Sequence, residues 1–426
     1  CIGTMLFTSI YGIVDGLCVS NFVGKTAFAA VNLIMPLPML LGTIGFMLGT
    51  GGSAIVGITL GEGDQKKADR YFTLFLLAAL VSVSVLAVLG IVFLRPIAVL
   101  LGAKGELLDY AVRYGRILMV SLPTFALQNM FQSFFVTAEK PHLGFWFTVG
   151  AGCTNMALDV LMVGIWGWGV EGAAIATFIS QLVGGVLPVF YFIDRSNSSR
   201  LHLCKTSFYS KVLRDACING SSELMTNLSM SLVNILYNYQ LLRLAGENGV
   251  AAYGVIMYAA FLFVAVFVGY AVGSAPIVSF HYGARNHAEV HNLYRKSLRL
   301  IAVVAVTLTL ASMFIIPCVA RIFVGYDAEL LALTSRAFRL YALSFLIMGF
   351  NVYASSFFTA LGDGVTSALI SFLRTLAFQV IAILLLPLLL GIDGIWLAVT
   401  AAELAALAVS AAMLLTKDKV FHYRKA

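Results

Sequence analysis

Long apolar runs govern what this chain can become. From the opening CIGTMLFTSIYGIVDGLCVS to AAELAALAVSAAMLL near the far end, apolar stretches follow one another with short polar connectors between them. Each holds about 20 residues or more, which as a helix spans a hydrocarbon core of about 30 Å. In lipid every backbone N–H and C=O must be bonded within the protein, so only helices and closed barrels can cross. The runs show no alternation of period two, which excludes a barrel and leaves helices. Composition agrees: 60% of residues are hydrophobic and 11% charged, too little charge to clothe a soluble surface of this size.

Twelve spans are expected, at about 1–22, 27–59, 71–94, 106–137, 144–166, 169–193, 208–243, 250–281, 297–318, 329–361, 366–390 and 394–416. The first run opens without an initiator Met and is read as a helix lacking its start. It is not read as a signal peptide, because no basic region precedes it and no small-residue cleavage pattern follows. The longest connector, DRSNSSRLHLCKTS at 194–207, is polar and basic. It divides a first lobe, 1–193, from a second, 208–416, with a tail at 417–426.

An internal repeat follows the same division. With a shift of 222 residues, Gly24, Ala29, Ala30, Ile34 and Met35 meet Gly246, Ala251, Ala252, Ile256 and Met257, and GVEG at 169–172 meets GIDG at 391–394. With a shift of 223, Glu106, Arg113 and Arg116 meet Glu329, Arg336 and Arg339. Six spans per lobe is an even number, so both lobes enter the membrane in the same orientation. The expected fold is an all-α integral membrane protein, with twelve transmembrane helices in two six-helix lobes related by a parallel pseudo-two-fold repeat. That is a transporter architecture.

The connectors after even-numbered spans, with their flanks and the tail, hold most of the basic residues, among them Lys66, Lys67, Arg70, Lys205, Lys211, Arg295 and Lys419. That side is expected to be cytoplasmic, with both termini on it. The net charge of +7 is therefore a topology signal and implies no nucleic-acid partner. Cys1, Cys18, Cys153, Cys204, Cys217 and Cys318 form no CxxC or metal spacing and read as small buried hydrophobes. A nucleotide loop, HExxH, GxSxG and a His/Cys cluster are all absent from the sequence. The chain is read as no enzyme, without cofactor, and as driven by an ion gradient.

Asp15, Asp159, Glu223, Glu403 and Arg374 fall well inside expected spans. An ionised group at the bilayer centre costs roughly 2.5 kcal/mol or more. Such groups must face the bundle interior, find partners or take a proton. Tyr11 precedes Asp15 by four residues and Asn155 precedes Asp159 by four, which puts each pair on one helix face. With Thr177 in the next span they make an oxygen-rich, anionic set suited to H⁺ or Na⁺. The plainer reading is that each Asp caps backbone or pairs locally. Glu223, Asn227, Ser231, Asn234 and Asn238 form a polar stripe at helical spacing on span 7, read as cavity lining or as hydrogen-bonding glue between helices. Shorter polar sets are Gln128, Asn129 and Gln132 on span 4, and Asn351 with Ser355 on span 10. Arg374 and Glu403, on neighbouring spans 11 and 12, read as a buried structural ion pair.

The tracts SIYGIVDGLCVSNFVGKTAFAAVNLIMP, NMALDVLMV and GWGVEGAAIAT resemble the MATE (multidrug and toxic compound extrusion) transporters, in the bacterial branch with the DinF- and MepA-like proteins. The resemblance covers essentially the whole chain. It implies export of small organic, amphipathic cations in exchange for H⁺ or Na⁺ across a bacterial cytoplasmic membrane. It also implies a cation site at Asp15, Tyr11, Asn155, Asp159 and Thr177, the set picked out by charge. Glu223 matches a span-7 Glu of NorM-like members, but their span-10 Asp has no counterpart here. Glu223 is therefore placed with Gln128, Asn129, Gln132, Asn227, Ser231, Asn234 and Asn351 in the substrate cavity. A monomer is expected, since one chain contains both lobes. The competing reading is a flippase for lipid-linked precursors, which usually carries more cationic residues in its cavity than the one intramembrane base here, Arg374.

Overall fold

In the computed structural model the described residues are 2–8, 30–31, 33–101, 103–324 and 327–423. The regular structure among them is helical. They divide into two compact units, one running to Gly220 and the other from Ser221.

The first unit contains α1 (Pro36–Gly61), α2 (Gln65–Leu100) and α3 (Glu106–Thr137). It continues with α4 (Pro141–Leu158), which widens into a π-helical segment at Asp159–Ile165, then α5 (Gly169–Gly185), α6 (Leu187–Ile193) and α7 (Ser210–Asn219). Local chemistry sets the starts: the Asp64 carboxylate accepts the Lys67 N–H at 3.0 Å, and α4 opens on Pro141, whose missing N–H costs nothing in a first turn. α3 is central and packs on α1, α2 and α5. Glycines bring these helices close. A methyl at Gly45 would run into the backbone of Ala126, and one at Gly185 into the Thr124 carbonyl. Ile34, Leu94, Tyr114, Leu118, Val163 and Ala173 fill the core on one side, and Val83, Met119, Leu122 and Ala126 on the other.

The second unit holds α8 (Ser221–Gly283), which breaks at Gly246 (φ 62°, ψ −152°) and so supplies two expected spans. α9 (His287–Val324) follows, then α10 (Ala328–Ala342) and α11 (Phe345–Ala360), which are bent by 46° relative to each other. α12 (Gly364–Phe372) passes through a second π-helical segment, Leu373–Ala377, into α13 (Phe378–Leu390). α14 (Ile392–Thr416) and the short α15 (Asp418–Phe421) end the unit. Its core includes Tyr237, Leu241, Phe338, Phe345, Tyr353 and Trp396.

Among the described residues eight helices are long and apolar enough to cross a membrane, nine if the bent pair counts as one span. Helices occupy every expected span from the second to the twelfth, while most of span 1 lies outside the described residues. α3 and the first part of α8 are not among the eight. They carry Gln128, Asn129 and Gln132, and the stripe from Glu223 to Asn238, which dilute their hydropathy.

Segments between and after the spans depart from expectation. The expected linker lies along the polar start of α2 in the first unit. The His202 N–H bonds Asp69 at 3.0 Å, the Cys204 N–H bonds the Thr73 hydroxyl at 3.1 Å, and the Thr206 hydroxyl bonds the Arg70 carbonyl at 2.8 Å. An extended strand of chain needs partners for its backbone groups, and the first turns of α2 supply them. α7, expected as the start of span 7, is a separate helix against α1. Gly220 ends it where a methyl would strike the Met47 carbonyl, and Asn219 reaches the Gly51 carbonyl at 3.4 Å. The tail folds back as well: Tyr423 is fully buried, donates to the Leu414 carbonyl at 2.7 Å, and has its own carbonyl 2.9 Å from His291 Nδ1.

The repeat is visible in the ion pairs. In the first unit Arg113 meets Glu171 at 3.7 Å. In the second, their counterparts Arg336 and Asp393 form the same pair.

Candidate ion and substrate sites

Asp159 begins the π-helical segment after α4 and is completely buried. Its backbone N–H returns to the Asn155 carbonyl. The Asn155 side chain, 2% exposed, extends towards α5 and lies 3.5 Å from the Thr177 hydroxyl, which itself bonds the Ala173 carbonyl at 3.0 Å. The Trp166-Gly167-Trp168-Gly169 turn makes this meeting possible. Gly167 (φ 66°) and Gly169 (φ 60°) adopt the left-handed backbone that folds α5 onto α4. Three of the five expected ion ligands thus belong to one pair of helices. Asp15 and Tyr11 lie outside the described residues.

Gln128 and Asn129 are buried on α3, and Gln132 is half-buried. The Gln128 side chain lies against Gly184 of α5, where any side chain would collide with it. The Asn129 amide nitrogen and the Gln132 amide oxygen are buried without a hydrogen-bond partner among the described residues. So is the amide oxygen of Gln181 on α5, which sequence reasoning passed over. The repeat held the signal: at a shift of 222, Gln181 falls opposite Glu403, and at 223 Gln128 falls opposite Asn351. Buried amide groups left open are costly, and a polar cargo or water relieves that cost.

In the second unit Arg374 sits in the π-helical segment, and its Nε lies 3.0 Å from Glu403 Oε1. Glu403 is wholly buried and its second oxygen accepts the Asn351 amide at 2.7 Å. Asn351 also donates to the Glu403 carbonyl at 2.9 Å and accepts the Ser410 hydroxyl at 2.9 Å. Asn351, expected in the substrate cavity, is instead fully buried in this network, because its donor and acceptor groups are taken by α14. Beside it Ser355, Ser367, Ser371 and Thr359 form a ladder of buried hydroxyls at 2.8–2.9 Å.

The α8 stripe has another character. Asn227 bonds the Glu223 carbonyl at 2.9 Å, Ser231 the Asn227 carbonyl at 3.3 Å, and Asn238 the Asn234 carbonyl at 3.0 Å. These bonds run back along α8 itself and satisfy the side chains within their own helix. Ser231 and Asn234 are exposed, and Glu223, Asn227 and Asn238 are half-buried.

A family model described as MatE matches residues 1–161 and 224–385, most of both units. The chain belongs to the MatE family. The family is one of membrane transporters, not enzymes. Among relatives of this MatE chain is the Multidrug export protein MepA of Staphylococcus saprophyticus subsp. saprophyticus, 21% identical over 425 residues, covering 98% of this chain and 92% of that protein. Two solved structures share the fold. One is the outward-facing conformation of a multidrug resistance MATE family transporter of the MOP superfamily, with TM-score 0.93, 22% identity, and coverage of 100% of this chain and 94% of that one. The other is a MOP superfamily transporter from Pyrococcus furiosus, described as having a binding pocket of reverse polarity that suggests a different function. Its TM-score is 0.91, with 22% identity and coverage of 100% and 95%. The chain therefore has the twelve-helix, two-lobe layout of the MATE transporters.

Proposed function

We propose that this transporter is an antiporter that takes up H⁺ or Na⁺ and exports amphipathic organic cations by alternating access. The observation that carries the reading is the complete burial of Asp159 one turn after Asn155, which reaches Thr177. A carboxylate is kept in such a place, against a cost of roughly 2.5–3.5 kcal/mol, where a cation can join it and leave it. We assign Asp15 and Tyr11 of the expected set to the same ion-coupling role. Binding of the cation neutralises the site and favours one access state by the difference in affinity between the two states.

The cargo is assigned to polar faces set in apolar walls: Gln128, Asn129, Gln132 and Gln181 in the first unit, and Glu223, Asn227, Ser231 and Asn234 in the second. The related MepA proteins are named for multidrug export, which supports this cargo class. The chain acts as a monomer in a bacterial cytoplasmic membrane with both termini in the cytoplasm, since the basic connectors then lie on the cytoplasmic side.

The test is transport by the purified protein in liposomes, followed with ethidium under an imposed pH gradient and then under a Na⁺ gradient. Movement driven by one gradient alone identifies the coupling ion. Failure under both overturns the antiporter reading, and lipid-linked precursors become the cargo to assay.

A further inference from the structure

We propose that the start of α2 and the extended segment laid along it form a binding surface for an anionic phospholipid headgroup, with the Phe208 ring entering the acyl region beside it. Lys66, Lys67 and Arg70 are exposed on the first turns of α2, and Lys205 and Lys211 are exposed on the segment opposite. Specific contacts hold the two stretches together. The Thr206 hydroxyl on the Arg70 carbonyl, at 2.8 Å, fixes Lys205 beside that turn. The rings of Tyr71 and Tyr209 meet edge to face at 5.5 Å, and the Lys67 ammonium stands 5.8 Å from the Tyr71 ring centre. Fewer carboxylates than basic groups stand on these turns, namely Glu62, Asp64 and Asp69. Asp64 caps α2, and Asp69 accepts from His202 and Gln65. The cluster of basic groups therefore stays positive.

Its height relative to the membrane names the partner. On α2 the exposed apolar side chains begin at Leu77 and continue through Val81 and Val85. Leu77 is seven residues past Arg70, or about 10 Å along the helix, so the basic turns stand at headgroup level just beyond the lipid-facing belt. α6 reaches the same connector with Phe190 and Ile193 exposed. Phe208, 75% exposed, is an aromatic ring without protein cover beside Lys205 and Lys211. An apolar ring set among basic residues at this depth is how an interfacial segment grips an anionic leaflet.

The experiment measures thermal stabilisation of the detergent-solubilised full chain by phosphatidylglycerol and by phosphatidylcholine. Wild type is expected to gain stability selectively with phosphatidylglycerol. The gain should shrink as salt rises, and free glycerol phosphate should not reproduce it. In Lys67→Gln/Arg70→Gln/Lys205→Gln/Lys211→Gln the apparent affinity should fall by roughly fivefold for each charge removed, with the melting temperature in phosphatidylcholine unchanged. Phe208→Ser should weaken binding of the lipid but leave its salt dependence in place. Equal loss of the selective gain in Arg295→Gln/Lys296→Gln/Arg299→Gln, or full competition by glycerol phosphate, overturns the proposal.

Discussion

Asp159 in the first unit and Glu403 in the second are both wholly buried, and both are reached through a helix that widens into a π-helical segment. Their surroundings differ. One turn before Asp159, the neutral Asn155 reaches Thr177 of α5. Around Glu403 the structure puts the Arg374 guanidinium, the Asn351 amide and, through Asn351, the Ser410 hydroxyl. A carboxylate with a resident guanidinium has its counter-charge built in, and an arriving cation would have to displace it. In this account the first unit performs ion exchange and the second holds a charge pair for structural reasons. π-helical turns often mark functional positions; on the proposed reading the first unit's turn serves exchange, and the second unit's carries the Arg374 half of a buried ion pair.

The largest effect that sharpens this contrast belongs to the second unit. Arg374→Met leaves Glu403 buried without its partner and should cost about 3–5 kcal/mol, read as a large fall in melting temperature. Arg374→Met/Glu403→Met should recover most of that loss, because no charge then stays buried. A double variant as unstable as the single would mean that the pair does more than cancel itself.

A smaller effect arises at the edge of the same unit. Burial of Asp363 raises its affinity for a proton, but hydrogen bonds from Lys417 at 2.8 Å and from the Thr366 hydroxyl at 2.7 Å outweigh this and hold its carboxyl below the usual range. Its contribution to stability is therefore present above the ordinary carboxylate pKa and is lost as pH falls through the lowered value. Lys417→Gln should lower the melting temperature near neutral pH by a small margin and leave it almost unchanged at the acid end, where Asp363 is protonated, so that the acid limb of melting temperature against pH flattens. The partly exposed geometry keeps the effect modest.

Much of the helical order was legible because a bilayer permits few alternatives. α3 begins and ends at the residues expected for span 4, and α5 with α6 covers span 6. The bend between α10 and α11 and both π-helical segments were not legible, since they depend on packing and leave no change in hydropathy. The break at Gly220 was hidden for a related reason. An apolar run reads as one helix until a neighbouring backbone, here Met47, forces a glycine and a turn. In the site, helical spacing put Asn155 and Asp159 on one face, and the structure brings Asn155 to Thr177 of the next span. Asn351 was misread, because facing a cavity and facing Glu403 present the same polar residue in an apolar run. Gln181 was missed as an isolated amide, although the repeat aligns it with Glu403.

The most direct measurement compares Asp159→Asn and Glu403→Gln in the same liposomes under the driving gradient, with melting temperatures taken in parallel. The account predicts that Asp159→Asn abolishes gradient-driven transport in protein that still folds. Glu403→Gln should lower the melting temperature, because Arg374 loses its partner, and the folded fraction should still respond to the gradient. Full transport by Asp159→Asn, or loss of coupling in a stably folded Glu403→Gln, would contradict the division of roles between the two units.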